Sequence, residues 1–414
     1  MLDINKIREQ KEEVKKALLK RMESVDLDII ISLDDKRKKL IQETDELKSE
    51  RNKYSKTKPS EEIIKKMREL GEKIKKFDED LENVEKEFKE KLSELPNIPA
   101  DDVLPGGKEN NKVINTYKDK PKFDFPIKDH VELCKLCGLI DYERAVKISG
   151  SGFWAYTGNG ALLEWALLNY FIDFHKANKY TFIIPPFMLN EASAYASGHL
   201  PKFREDLFWV EDGLCLNATS EMMLDNYHRD EVLDEKKLPI KYFAYSPCFR
   251  REAGSYRTEE RGMIRGHQFN KIEMFQFTKP KDSWKSFEEL KDNAEKLMEG
   301  LELHFRTVQL AAEDASAAMS KTVDIEVWIP SMNNYKEVSS ISNALDYQAR
   351  RGNIRFKDKK TDKNEFVHTL NASGLATSRL FPAIVEQFQQ KDGSIKIPKV
   401  LQAYLPFKKI SLEK

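Results

Sequence analysis

The sequence is poor in cysteine. It has four in 414 residues, Cys134, Cys137, Cys215 and Cys248, too few for a disulfide scaffold in a chain of this length. Cys134 and Cys137 form a C-x-x-C pair, but no second pair completes a four-ligand zinc site. The pair reads instead as two small apolar residues on one helix turn, and a reducing compartment fits. Long apolar runs are also lacking, since none approaches the ~20 residues a membrane helix needs. The opening, Met-Leu-Asp-Ile-Asn-Lys-Ile-Arg, has no apolar signal region and already carries acids. That argues against secretory or mitochondrial targeting, and the expectation is a cytoplasmic protein with no membrane partner. Charge of one sign is missing too: Lys+Arg and Asp+Glu each total 70. Net charge therefore says nothing about nucleic acid, and any such surface must come from local clustering. There is no internal repeat and no low-complexity tract.

What is abundant is charge of both signs, 34% of residues against roughly 25% in ordinary globular domains. Much of it lies in the first hundred residues. From about Leu27 to Leu95 the chain is dense in Lys, Glu, Asp and Arg. Its second half carries Ile63, Met67, Leu70, Ile74, Phe77, Leu81, Val84 and Phe88. These alternate in steps of four and three, the heptad rule for helices packed side by side. The first half has Leu33, Leu40, Leu47 and Tyr54 at sevens, with Ile30, Arg37, Thr44 and Arg51 at the alternate positions, a weaker seam. Between the halves lies Ser55-Lys-Thr-Lys-Pro-Ser60, with Pro59 as breaker and Ser60 as a helix start. The spacing predicts an antiparallel helical hairpin, about 27–95, whose arms of about 28 residues extend roughly 42 Å. Two helices make no globular core, so the hairpin is expected to project from a body. Its cations Arg51, Lys53, Lys56, Lys58, Lys65 and Lys66 cluster toward the tip. Charge alone leaves two readings open, a solvated helix surface or a phosphate-contacting arm.

Pro96-Asn-Ile-Pro99 through Pro105-Gly-Gly107 reads as a linker. It separates an N-terminal domain, 1–100, from a second domain, 101–414. Beyond it lie two strand-like segments, Lys241 to Glu252 and Gly266 to Phe277, with a charged loop from Ala253 to Arg265 between them. Strand–loop–strand implies an antiparallel pair. Period two places Arg250 and Glu252 on one face of the first, and Phe243, Tyr245 and Phe249 on the other, toward the core. On the second, Phe269, Lys271 and Glu273 share a face opposite Ile272 and Met274. An arginine, two acids and an aromatic ring above a sheet suit a nucleotide and an amino acid. Arg pairs with a phosphate, the ring stacks on a base, and an acid holds an ammonium. Gly158-Asn-Gly160 is a weak phosphate-loop signal and reads as a helix start. His199 and His267 have no partner at a recognisable catalytic spacing and read as structural.

Several segments agree in order. Cys248-Phe-Arg-Arg-Glu-Ala-Gly254 with Arg261-Gly-Met-Ile-Arg-Gly-His-Gln-Phe-Asn-Lys-Ile-Glu273 resembles motif 2 of the class II aminoacyl-tRNA synthetases in its seryl form. Thr219-Ser220-Glu221 resembles the serine-binding Thr-Ala-Glu of that family. Glu337-Val-Ser-Ser340, running to Ser342-Asn343 and Gln348-Ala-Arg-Arg351, resembles another of its stretches, and Asn371-Ala-Ser-Gly-Leu-Ala-Thr-Ser-Arg379 resembles motif 3. Leu200-Pro-Lys-Phe203 and Pro185-Pro186 also fit, and the hairpin stands where the seryl family keeps its tRNA arm. The chain departs from the family's usual wording at Gly152 and Trp165 (arginines), Ala372 and Ser378 (glycines), Ile341 (cysteine) and Ser220 (alanine).

The resemblance implies an α+β fold, an antiparallel coiled-coil hairpin followed by a mainly antiparallel sheet flanked by helices. It implies a homodimeric ligase that joins L-serine to tRNA(Ser), and to tRNA(Sec), using ATP and Mg²⁺. It gives catalytic roles to Arg250, Glu252 and Arg379. ATP would lie among Arg250, Arg251, Glu252, Phe269, Glu337, Val338, Ser339, Ser340 and Arg379. The cation would sit at Glu337 and Ser340. Serine would lie among Thr219, Ser220, Glu221, Arg250, Glu273, Asn371 and Ser373. Glu337 and Ser340 differ in parity, so both reach one site only past a bulge or strand end. Two other readings share parts of this pattern. A non-catalytic paralogue would have lost Arg250, Glu273 or Arg379, and a ligase that loads a carrier protein would have lost the arm.

Overall fold

The heptads of the first hundred residues produce two long helices, α1 (Asp28–Tyr54) and α2 (Glu61–Glu94), about 40 and 51 Å long. Contacts pair Arg37 with Phe88, Lys48 with Asp78 and Tyr54 with Lys66, so the helices run antiparallel. Ser60 caps α2 by accepting the Ile63 N–H at 3.2 Å. On α2, Leu70, Ile74 and Val84 are buried and the other heptad residues partly so. On α1 the seam is mixed. Thr44 is buried with no hydrogen-bond partner for its hydroxyl among the described residues. The Arg37 guanidinium lies 5.1 Å from the centre of the Phe88 ring. Cross-helix pairs Lys48–Asp78 (2.9 Å) and Lys66–Glu50 (3.6 Å) are exposed and screened by solvent, so the seam holds the hairpin. Asp34 is fully buried against Arg8, Arg37 and Lys38 at 2.8–2.9 Å. Burial pushes its carboxyl up, but hydrogen bonds from Lys38, Arg37 and Arg8 outweigh that and hold it below the usual range. These elements belong to a unit spanning Met1–Ile98. The computed structural model describes residues 1–56, 59–252 and 262–413.

The second unit, Pro99–Lys414, is built on an eight-stranded sheet. Its strands are β1 (Lys112–Tyr117), β2 (Thr181–Ile183), β3 (Ile240–Phe249), β4 (Gln268–Thr278), β5 (Phe305–Gln309), β6 (Lys321–Ile329), β7 (Asn334–Leu345) and β8 (His368–Ala376). Their order is β1-β5-β6-β7-β8-β4-β3-β2. Every neighbour is antiparallel except β2, which runs parallel to β3. Four helices support the sheet or border its open face: α3 (Gly158–Ala177), α4 (Glu221–Asn226), α5 (Ser283–Gly300) and α6 (Thr377–Gln387). Side chains of α3, α5 and α6 join Phe243, Ile272, Met274, Ile325 and Ile341 in one core on one face of the sheet. Each large side chain so buried stabilises the fold by about 1.5–3 kcal/mol. Period two leaves Lys271, Glu273, Asn371 and Ser373 on the other face.

Two bulges interrupt this alternation. Ile325 pairs with Ser339 but Glu326 with Glu337, so Val338 is an extra residue on β7. Ser373 pairs with Glu273 but Ala376 with Lys271, which puts one extra residue on β8. There Leu375 takes φ +85°. A Cβ on Gly374 would lie 2.4 Å from Nε2 of His175 on α3, so only glycine fits.

The first strand is shorter than its sequence pattern suggested. It ends at Phe249, and Glu252 turns away at φ +53°. Of its expected core face, Phe243 is fully buried while Tyr245 and Phe249 are only partly so. Trp165 and Phe187 pack on Tyr245. Ile148 (79% exposed), Trp165 (54%), Leu162, Ile184 and Met188 are open to solvent. Gly158-Asn-Gly160 opens α3. Cys134 and Cys137 pack in the core. Among the described residues no helix is long and apolar enough to cross a membrane.

Candidate active site

A cleft of about 520 Å³ opens on the face of the sheet away from the main core. Its inner end is built by β4, β8 and the segment leading into α4. Glu273 is fully buried. It accepts Asn371 Nδ2 at 3.0 Å and Ser373 Oγ at 3.3 Å, and it is ion-paired with Lys271. Glu221 accepts Gln348 Nε2 at 2.6 Å and Asn371 Nδ2 at 3.2 Å. One amide thus bridges two carboxylates. Burial, then the charge of Glu273, pushes the Glu221 carboxyl up to about 8 against the pull of Lys271 and the Gln348 hydrogen bond. Two carboxylates in one desolvated site resist joint ionisation, and a ligand cation at this spot relieves both.

The outer part of the cleft carries arginines. Arg250, just past β3, donates from Nε to the Ala218 carbonyl at 3.3 Å and lies 5.2 Å from the Phe269 ring centre. Arg379, in the first turn of α6, donates from Nε to the Ile264 carbonyl (3.2 Å) and from Nη1 to the Glu337 carbonyl (2.8 Å). Arg265 holds the Glu252 carboxylate at 2.6 Å. A side recess is lined by Phe269, Val338, Ala376, Ser378 and Arg379, a flat ring and a guanidinium at one slot. The β7 bulge resolves the parity conflict, because Glu337 and Ser340 both line the cleft. Both offer hard oxygen donors, and Glu337 is half-exposed, so this pair fits a magnesium ion.

Three expected contacts are not brought in. Ser220 turns into the core, its Oγ 2.6 Å from Ser246 Oγ, because it begins the turn into α4 while its neighbours face the cleft. Ser339 is fully buried and donates to the Ser373 carbonyl at 2.6 Å, since the bulge at Val338 turns it toward β8. Arg251 is exposed, 6.0 Å from the Phe208 ring, with its N–H on the Asp206 carbonyl. It lies outside the residues lining the cleft. On the hairpin, Lys53, Lys56, Lys65 and Lys66 are exposed and Arg51 is half-buried. Lys66 donates to the Tyr54 hydroxyl at 2.5 Å. Lys58 and residues 253–261 of the charged loop lie outside the described residues.

Sequence reasoning missed Lys271 and His199 as lining residues. The signal for Lys271 was present, since it shares a face with Phe269 and Glu273. His199 is 3.0 Å from Ser197 Oγ. Burial, then the cations Arg250, Lys271 and Arg351, pushes it down to about 3, so it stays neutral. Behind the site, Glu164 of α3 accepts Asn270 Nδ2 at 2.8 Å and Thr377 Oγ1 at 2.6 Å, tying β4 to the start of α6. The departure at Gly152 also has a structural reason. Its φ is +84° and a Cβ would lie 2.5 Å from the His267 ring, so no arginine fits there in this conformation.

Known proteins resemble this chain along nearly its whole length. Residues 1–99 match the family Seryl-tRNA synthetase N-terminal domain, and residues 208–388 match tRNA synthetase class II core domain (G, H, P, S and T). The chain is 55% identical to a Clostridium acetobutylicum protein named serine--tRNA ligase 2, with 98% of this chain and 99% of that one covered. It is 46% identical to the serine--tRNA ligase of Chlorobaculum parvum, again over 98% and 99%. Among solved structures it resembles seryl-tRNA synthetase from Pyrococcus horikoshii complexed with ATP. There the identity is 35%, the TM-score is 0.92, and 100% of each chain is covered.

Proposed function

The chain belongs to the seryl-tRNA synthetase family, and from that premise we propose that it activates L-serine with ATP and transfers the seryl group to the 3′ end of tRNA(Ser), and of tRNA(Sec). The observation that carries this reading is the amide-bridged pair Glu221 and Glu273 at the inner end of a cleft whose outer part holds Arg250 and Arg379.

The serine ammonium sits on Glu273 and Glu221, and its hydroxyl is met by Asn371 and Ser373. A site built to bond that hydroxyl rejects alanine, because its own buried polar groups would go unpaired. Adenine enters the recess between Phe269 and Arg379, with Glu252 at its amino group. Arg250 holds the α-phosphate. The serine carboxylate attacks the α-phosphorus, a new O–P bond forms, the bond to the β-phosphate oxygen breaks, and pyrophosphate leaves. Reactants and leaving group are anionic, so Arg250 and Arg379 act on charge rather than protons, and positioning does the rest. Glu337 and Ser340 would hold Mg²⁺, which would supply further neutralisation of the triphosphate. The tRNA 3′-terminal hydroxyl then attacks the adenylate carbonyl and AMP leaves.

Transfer requires the RNA to be held, and the hairpin cations Arg51, Lys53, Lys56, Lys65 and Lys66 suit backbone phosphates. Large apolar side chains left exposed, Trp165 and Ile148 among them, are compatible with cover by a second copy. A homodimer in the cytoplasm follows from the same reading.

The test is ATP–pyrophosphate exchange with each of the twenty amino acids, with Arg250→Ala as control. Exchange that depends on serine alone and disappears in the control supports activation. No exchange with any amino acid from folded protein would overturn it.

A further inference from the structure

Glu164 is 3% exposed on a helix, α3, whose other buried residues are mostly apolar, Leu163, Leu167, Leu168 and Phe171 among them. Burying a carboxyl in such a place is costly unless it is hydrogen-bonded. Burial pushes this one up to about 7, against the pull of Thr377 and Asn270. Both donors converge on one oxygen. Oε1 takes Thr377 Oγ1 at 2.6 Å and Asn270 Nδ2 at 2.8 Å. A leucine would fill the core without that cost; what it could not do is bring two donors to a single atom.

The two donors stand where the sheet gives out. Ala376 opposite Lys271 is the last pair between β8 and β4, so Asn270 and Phe269 have no partner on β8. Thr377 then opens α6. The Asn270 amide is turned by Tyr245, whose hydroxyl donates to Oδ1 at 3.1 Å, and this leaves Nδ2 for Glu164. Phe269 directly precedes Asn270, and Arg379 follows Thr377 by two residues. These are the ring and the guanidinium of the side recess.

We propose that Glu164 is a positioning residue for the nucleotide, a buried clamp that sets the spacing of Phe269 from Arg379 by holding Asn270 and Thr377 on one oxygen. Glu164 touches no substrate, and its effect passes through the two residues it holds. A flat ring between two walls depends on van der Waals contact, and a gap of about 0.5–1 Å forfeits a quarter to a half of that attraction. The serine pocket does not share the clamp. Glu273 and Asn371 lie on the other side of the β8 bulge, where the ladder itself pairs Ser373 with Glu273 and Asn371 with Phe275. Loosening the clamp therefore weakens ATP and spares serine.

Glu164 has this role only if adenine enters the recess, so the role rests on the serine-activation reading, and one set of measurements separates the two. Serine-dependent exchange is measured on wild type, Glu164→Leu, Glu164→Gln, Thr377→Val, Thr377→Ser and the double variant Glu164→Leu/Thr377→Val, with thermal unfolding of each. Inhibition by adenosine, which keeps the base and lacks the phosphates, is measured beside it. Glu164→Leu and Thr377→Val should each raise the ATP KM and the adenosine inhibition constant about tenfold, while the serine KM stays within about twofold. Glu164→Gln and Thr377→Ser keep the acceptor and the donor, and should stay within about threefold of wild type in ATP KM. The double variant should lose little beyond either single, since both break one bridge. An unchanged ATP KM in folded Glu164→Leu would overturn the clamp, as would an equal rise in both KM values or an adenosine constant that does not move. A melting temperature lowered in Glu164→Leu with the ratio of the two KM values intact would mark Glu164 as merely structural and overturn it too. If Glu164→Leu does not fold, the two Thr377 variants and adenosine still decide. Absence of exchange in wild type overturns the activation reading itself, and the clamp with it.

Discussion

Two buried carboxylates, one in each unit, are treated in opposite ways. Asp34 in the hairpin unit has three cations of its own, at 2.8–2.9 Å, and is held below the usual carboxylate range. Glu221 in the sheet unit faces a second carboxylate, shares one amide with it, and is pushed up to about 8. The first site is electrostatically complete within the chain. The second is short of one cation, and the missing charge is what a substrate ammonium brings. A buried acid whose partners come from its own fold reads as structure, and one whose partner is missing reads as a binding site.

Four experiments can break this contrast, the largest effect first. Glu221→Gln should cut serine-dependent exchange about 100-fold, a loss of about 2.7 kcal/mol in transition-state binding. It should also raise thermal stability at pH 8. The sign comes from a carboxyl whose folded value is raised: the folded protein keeps its proton, so stability falls as pH climbs from the usual carboxylate range through about 8, and glutamine removes that loss. Asp34→Ala should do the reverse. It should destabilise α1 and α2 by about 2 kcal/mol, discounted from the usual buried-pair value because the partner cations are partly exposed, and leave exchange kinetics alone. Hydrogen exchange on the full chain would locate the loss. Because its carboxyl is held low, the Asp34 contribution is present above about pH 4 and lost as pH falls through its lowered value.

The third is the pH dependence of the serine KM. A proton on Glu221 competes with the substrate ammonium, so KM should fall between pH 6 and 8, by up to about tenfold per unit, and level above. A flat profile would mean that Glu221 does not meet the ammonium. The smallest effect is in the hairpin. Thr44→Val removes a buried hydroxyl without a partner and should stabilise the full chain by about 1 kcal/mol in thermal unfolding.

The hairpin and the sheet were legible because heptad and period-two spacing are one-dimensional signals of burial. Leu70, Ile74 and Val84, and the alternation of Lys271 and Glu273 with Ile272 and Met274, were readable for that reason, and so was the Ser60 cap. The residues that went wrong sit where the period breaks. Ser220 enters α4, Ser339 adjoins the β7 bulge, and Arg251 lies beyond the end of β3. A motif carries neighbours along with the residues that touch a ligand, and only the local backbone sorts them. The burial of Asp34 and the position of His199 depend on partners distant in sequence, and no spacing within one segment encodes those.

The extra residue on β7 has a consequence for insertions and deletions. Glu337 and Ser340 are three apart, and three is an odd step that an unbroken strand cannot keep on one face. Val338 supplies the correction without lending the cleft a polar group. Removing it would leave the two residues two apart, opposite Glu326 and Asp324, a step that a regular strand keeps on one face, so both would still reach the cleft. At this strand the extra residue is absorbed by the bulge, and a one-codon deletion of Val338 would shorten the strand without changing which side its ligand-facing residues take.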